Sequence, residues 1–212
     1  MSKEDTAKCI KIILLGESGV GKTNLIRVAS GEEFEQNSMT SSSGSYKEGI
    51  YISTNKKKYL YHLWDTAGQE VYRSLNKIFI KNAQIVIFVF AIDNETSFTE
   101  LNYWIDLAKT ELGDDFVKGM VANKIDLYEE QQVKEEDSRE FAKQQNIKYR
   151  ATSALTEPTG FKSFLEELIV EYIKKVDPVS GEEGITCGGT IENSFTLKKM
   201  GQKHKKKGGC CS

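Results

Sequence analysis

No run of apolar residues in this chain is longer than eight, the length of Ile85–Ile92. A bilayer-spanning helix needs about 20, so no segment reads as a membrane span. The opening MSKEDTAK is charged and runs directly into a strand-like segment. It lacks the apolar core of about 7–15 residues that a secretory leader carries, so secretion is not expected. Cysteines are few, four in 212 residues, and two of them are adjacent at Cys210 and Cys211. They do not make a disulfide framework, and such thiols suit a reducing compartment. The only prolines are Pro158 and Pro178, both late in the chain. Net charge is only −2, but residues 193–212 carry six lysines and no Asp or Glu, which leaves −8 on the rest. An acidic body argues against a nucleic-acid partner. A basic tail ending in cysteines points to an anionic surface.

What is present reads as a soluble globular domain with a tail. Hydrophobic residues are 39% and charged residues 28%, and a chain of this length buries a core without metals or disulfides. Apolar periodicity ends at Val176, and seven of the 17 glycines fall after it. We therefore expect a folded domain over residues 5–176 and a flexible, hypervariable tail over 177–212.

Strand and helix patterns alternate within the domain. Ile10–Leu15 suits a buried strand and Lys22–Ser30 a helix. Asn37–Ser45 has no apolar period and reads as a loop. Tyr46–Ser53 and Tyr59–Trp64 read as a hairpin. Ile85–Ile92 is apolar throughout, as a central parallel strand covered on both faces must be. Ser97-x-x-Glu100 reads as a capping box opening a helix to Leu112. Val117–Ala122 and Ile147–Arg150 read as strands and Lys134–Gln145 as a charged helix. Phe161, Phe164, Leu165, Leu168, Ile169, Tyr172 and Ile173 form one helical face. The expected fold class is α/β, a mostly parallel sheet flanked by helices.

Three motifs fall at the C-terminal ends of strands, where open α/β sheets bind ligands. Gly16-Glu17-Ser18-Gly19-Val20-Gly21-Lys22-Thr23 matches G-x-x-x-x-G-K-[ST] between a strand and a helix, as a phosphate loop must. Its glycines let backbone N–H groups approach phosphates, and the helix N-terminus adds positive potential. Lys22 neutralises the outer phosphates, and the Thr23 hydroxyl can ligate Mg²⁺. In Asp65-Thr66-Ala67-Gly68-Gln69-Glu70, Asp65 can hold Mg²⁺ through water and Gly68 can present a bare N–H to a terminal phosphate. Gln69 can orient a water for in-line attack, which makes Gln69 and Lys22 the catalytic candidates.

The third motif is Asn123-Lys124-Ile125-Asp126. A carboxylate there accepts from guanine N1–H and the 2-amino group. Adenine would leave it unpaired, so Asp126 selects the base. The Lys124 stem can cover one base face, and Ser153-Ala154 can offer a backbone N–H to guanine O6. Asn123 and Asp126 also disfavour an ATP-dependent kinase built on the same loop.

These motifs, in this order over about residues 8–175, resemble a Ras-superfamily small GTPase. Trp64 before Asp65, Tyr46 in the preceding strand and the ending Cys210-Cys211-Ser212 resemble the Rab branch, the regulators of vesicle trafficking. The resemblance implies the P-loop small GTPase fold with a six-stranded sheet, and a slow GTP hydrolase that switches between GTP and GDP with Mg²⁺ as cofactor. It also implies that Phe34 packs against the guanine and that Cys210 and Cys211 carry geranylgeranyl groups. Implied partners are an exchange factor, a GTPase-activating protein, an escort protein, a dissociation inhibitor and effectors. The implied location is the cytoplasmic face of an intracellular membrane, in exchange with cytosol. Two positions depart from the pattern. Ser42, followed by Ser43-Gly44, fills the slot of the usual Mg²⁺-ligating threonine, with Thr40 as rival. Leu155 replaces a lysine beside the base.

The tail has its own physical logic. Each lysine near an anionic leaflet contributes about 1 kcal/mol, and stable anchoring takes two signals. Paired cysteines with lysines supply both. A second reading of the whole chain is a membrane-tethered guanine-nucleotide-binding scaffold with little or no hydrolysis, since the serine run of the first switch departs from the family.

Overall fold

The computed structural model describes residues 9–36, 45–66, 73–177, 190–192 and 197–199. Strand β1 (Ile10–Leu15) leads through the phosphate loop into helix α1 (Lys22–Ala29). The hairpin β2 (Ser45–Ile52) and β3 (Lys58–Asp65) follows, then α2 (Arg73–Ile80) and β4 (Ile85–Ala91). Next come α3 (Glu95–Thr99), α4 (Leu101–Leu112), β5 (Val117–Asn123) and a 3₁₀ segment, Ile125–Glu130. Helix α5 (Glu135–Gln144), strand β6 (Lys148–Ala151) and helix α6 (Pro158–Val176) complete the domain. Two short strands of the tail, β7 (Thr190–Glu192) and β8 (Leu197–Lys199), join the sheet.

The sheet runs β6-β5-β4-β1-β3-β2-β7, with β8 also on β2. The β1–β3, β1–β4, β4–β5 and β5–β6 pairs are parallel, while β2 is antiparallel to β3 and to both tail strands. The six strands of the domain are thus the expected six-stranded, mostly parallel sheet. Period-2 alternation divides the core. Ile12, Leu14, Ile85, Ile87 and Val89 pack with α1 and α6 on one face. Ile13, Leu15, Val86, Phe88 and Phe90 pack with α4 on the other. Every residue of β4 is buried, which explains its unbroken apolar run.

Three details differ from the sequence reading. The helix expected from Ser97 begins earlier: Asn94 is the N-cap of α3, its side chain accepting from the Ser97 N–H at 3.0 Å. Ser97 is fully buried, and its hydroxyl donates to the Asn94 carbonyl and accepts from the Ala91 N–H. The serine is a fastening between β4 and α3, not a cap. Helix α2 lies between Asp65 and Ile85, where no element was expected. The tail was expected to carry no regular structure, yet β7 and β8 pair with β2. Backbone hydrogen bonding to an edge strand needs no apolar period, so the pattern in sequence did not announce it.

Candidate functional site

The phosphate loop is built by backbone conformations that only glycine adopts easily. Gly16 has φ +154°, and a Cβ there would lie 2.0 Å from the Val89 carbonyl oxygen. Gly21 has φ +94°, and its Cβ would lie 2.4 Å from Asn123 Nδ2. The loop therefore packs against β4 and β5 at a distance a side chain would forbid. Lys22 is buried, and its Nζ donates to the Gly16 and Glu17 carbonyls at 2.9 and 2.7 Å, which folds its stem back along the loop. Val20 buries its side chain in the core, so it offers only backbone. Glu17 accepts a hydrogen bond from Trp104 Nε1 at 3.3 Å, tying the loop to α4.

Thr23 and Asp65 meet beside the loop. Thr23 Oγ1 donates to Asp65 Oδ2 at 2.9 Å, bringing together two oxygen donors that lie 42 residues apart in sequence. Asp65 is buried at the end of β3, and the next residue, Thr66, donates its hydroxyl to the Leu14 carbonyl at 2.6 Å. This bond fixes the chain leaving β3 against the end of β1.

At the other end of the site, three loops converge on Asn123. Its Nδ2 donates to the Val20 carbonyl at 2.8 Å, and its Oδ1 accepts from the Ala154 N–H at 3.2 Å. Asn123 is thus a clamp joining the phosphate loop to the segment after β6, a role the motif alone did not disclose. Lys124 adopts φ +63°, which turns the chain sharply after β5, and its Nζ pairs with Asp93 at 3.2 Å. Asp126 accepts a hydrogen bond from Ser153 Oγ, and Ser153 Oγ in turn accepts from the Leu155 and Thr156 N–H groups at 3.1 and 3.0 Å. The carboxylate expected to read the base is thereby held by a serine whose own turn is fixed.

A cavity of about 690 Å³ joins these parts. Of the residues expected from sequence, Gly19, Gly21, Lys22, Thr23, Phe34, Asn123, Lys124, Asp126, Ser153, Ala154 and Leu155 line it. Gly16, Glu17, Ser18 and Val20 are not in its wall, and Asp65 reaches it through Thr23. Gly68, Gln69, Ser42, Cys210 and Cys211 lie outside the described residues. The sequence reading missed Asn24, Gln36 and Leu127, which also line the cavity. Asn24 donates to the Glu35 carbonyl at 3.0 Å and accepts from its N–H at 3.2 Å, holding the segment that carries Phe34. Its place directly after Lys-Thr was the only signal available.

The sheet, the loop and the cavity at the strand ends define a P-loop nucleotide-binding protein. A model of the Ras family matches residues 11–174. Over 205 residues the chain is 30% identical to the Ras-related protein RABA4c of Arabidopsis thaliana, covering 95% of this chain and 92% of that protein. It is 30% identical over 223 residues to the Ras-related protein Rab-27A of Rattus norvegicus, covering 99% of each. It is 28% identical over 206 residues to the GTP-binding protein ypt3 of Schizosaccharomyces pombe, covering 95% of each. The chain belongs to the Ras family, in its Rab branch, and is a small GTPase, a GTP-binding and GTP-hydrolysing switch of vesicle trafficking.

Proposed function

We propose that the nucleotide lies along the 690 Å³ cavity with its base at Asp126 and its phosphates over the loop from Gly16 to Thr23. The observation that carries this reading is the polarity of that one cavity. Thr23 and Asp65 stand 2.9 Å apart at its phosphate end, and a serine-held carboxylate stands at the other. Asp126 would accept from guanine N1–H and the 2-amino group, with Lys124 covering a base face and Phe34 packing at the edge. Guanine O6 would compete with Asn123 Oδ1 for the Ala154 N–H.

Thr23 and Asp65 suit Mg²⁺, a hard cation that takes a few protein oxygens and completes its shell with water and phosphate. Among the described residues no group of three or more His, Cys, Asp or Glu gathers into a metal cluster. When bound, Mg²⁺ supplies positive charge to the β- and γ-phosphate oxygens. Thr23 would ligate it directly, Asp65 through water, and Ser42 would add a hydroxyl from the first switch. Lys22 would turn from the loop carbonyls to the outer phosphates, Gly68 would donate its N–H to the terminal phosphate, and Gln69 would orient the attacking water.

The same reading assigns the switch to a membrane. Among the described residues no helix is long and apolar enough to cross one, and attachment would come from prenyl groups on Cys210 and Cys211. The GTP state would recruit effectors on the cytoplasmic face of an intracellular membrane. An exchange factor and a GTPase-activating protein would set the cycle, with an escort protein for lipidation and a dissociation inhibitor for return to cytosol.

Single-turnover GTP hydrolysis by the full chain with Mg²⁺ tests this reading. Gln69→Leu should slow hydrolysis by at least about tenfold and leave GTP affinity nearly unchanged. Unchanged hydrolysis would remove Gln69 from the mechanism and favour a site other than the one drawn.

A further inference from the structure

The outer edge of β2 is covered by a segment of the same chain, and the covering has a direction. Thr190, Ile191 and Glu192 pair with Ile52, Tyr51 and Ile50. Leu197, Lys198 and Lys199 pair with Lys47, Tyr46 and Ser45. The two tail strands are therefore both antiparallel to β2, β7 at its C-terminal end and β8 at its N-terminal end. Four residues, 193–196, separate β7 from β8 where only Glu48 and Gly49 separate their partners. An excess of two preserves the face alternation of a strand, whereas an excess of one would invert it. Ile191, opposite Tyr51, and Leu197, opposite Lys47, accordingly fall at register positions on one face of the sheet.

The route matters because β2 spans the molecule from one end to the other. Helix α6 ends beside the β2–β3 turn, where Lys57 Nζ meets Asp177 Oδ2 at 2.5 Å. Ser45, at the opposite end of β2, pairs with Asp65, the residue that joins Thr23 at the nucleotide site. Lys199 pairs with Ser45 on its other side. Its backbone thus lies two strand spacings, about 10 Å, from that of Asp65.

We propose that the outer edge of β2 is a docking site for two strands of the chain's own tail, 190–192 and 197–199, and that docking brings the lysine- and cysteine-bearing end out beside the nucleotide switch. Docked, the tail closes the one edge of the hairpin that another strand could join. It also shortens the tether. From Asp177, residues 178–212 could reach about 120 Å from the turn end of the molecule; from Lys199, residues 200–212 could reach about 45 Å from the switch end. Docked, the cysteine-bearing terminus is confined to the neighbourhood of the switch end, whereas the undocked tether lets it reach either end of the domain. Two three-residue strands make few hydrogen bonds, so the docked state is one that a competing strand can displace.

Hydrogen exchange by NMR on the full GDP-bound chain tests this directly. Alternate β2 amides point toward β3 and toward the tail. Ser53 N–H donates to the Lys57 carbonyl, so odd-numbered β2 amides face β3 and even-numbered ones face the tail. The double variant Glu192→Pro, Lys198→Pro, opposite Ile50 and Tyr46, therefore removes two tail N–H donors to β2 without touching the domain. It should speed exchange of the tail-facing β2 amides by about tenfold or more and leave the β3-facing ones unchanged. A nitroxide at Gly201→Cys, with the four native cysteines replaced by serine, should broaden resonances near Ser45 and Asp65, and that broadening should vanish in the proline variant. Equal exchange at the tail-facing amides of the two chains, or broadening centred on Lys57, would overturn the proposal.

Discussion

At the scale of single residues, the site depends on atoms that each do two things. Asn123 holds the Val20 carbonyl with one end of its amide and the Ala154 N–H with the other, so the phosphate and base ends of the cavity share one side chain. Asn123→Ala would leave both backbone groups buried without a partner, at about 1–3 kcal/mol each. We expect the nucleotide-free Tm to fall by roughly 5–15 °C and GTP affinity to fall with it. A thermal shift under about 2 °C in calorimetry would show that the clamp is dispensable. The motif letters gave Asn123, but not this role. G-x-x-x-x-G-K-T, D-T-A-G-Q and N-K-x-D are legible because each is contiguous and sits where a strand ends. The pairing of Asn24 with Glu35, the reach of Gln36 and the Trp104–Glu17 bond belong to side chains that the fold brings together, and no spacing in the sequence marks them.

At the scale of elements, strands were legible where burial forces a pattern. Ile10–Leu15 was read to the residue and β4 within one residue, because a strand covered on both faces has no choice but to be apolar. Helix starts were less legible. Both Asn94 and Ser97 can cap, and only the burial of Ser97 against Ala91 decides between them. Helix α2 was not read, since only Val71 and Tyr72 separate it from the motif Asp65–Glu70 and neither is a cap or turn residue. The first switch poses a question of register. If Ser42 is the hydroxyl that closes over the γ-phosphate, Ser42→Ala should lower affinity for GTP relative to GDP, and Thr40→Ala should matter less. Paired titrations of the two nucleotides check the ranking, and the reverse order would move the register of that loop by two residues.

At the scale of the whole molecule, the chain joins a two-faced α/β domain to a basic tail with paired cysteines. The fold follows from the alternation of patterns, but the course of the tail along β2 does not, because backbone pairing leaves no periodic trace. Cys9 is poorly placed for modification. That thiol is partly buried at the start of β1, and burial, with a smaller push from Glu48, raises its pKa to about 11. Replacing Cys210 and Cys211 with serine should leave GTP binding intact and shift the protein from the membrane to the soluble fraction on cell fractionation. Continued pelleting with membranes would place the anchor elsewhere.

The central claim is that one carboxylate selects the base, and nucleotide competition on Asp126→Asn tests it most directly. The parent chain should bind GTP and ignore ATP. The variant should lose GTP and gain xanthosine triphosphate, because the new amide can donate to the 2-oxo group that xanthine carries where guanine has an amine. Equal loss of guanine and xanthine nucleotides in a variant that still folds would contradict the account, and would leave Asp126 only its bond to Ser153.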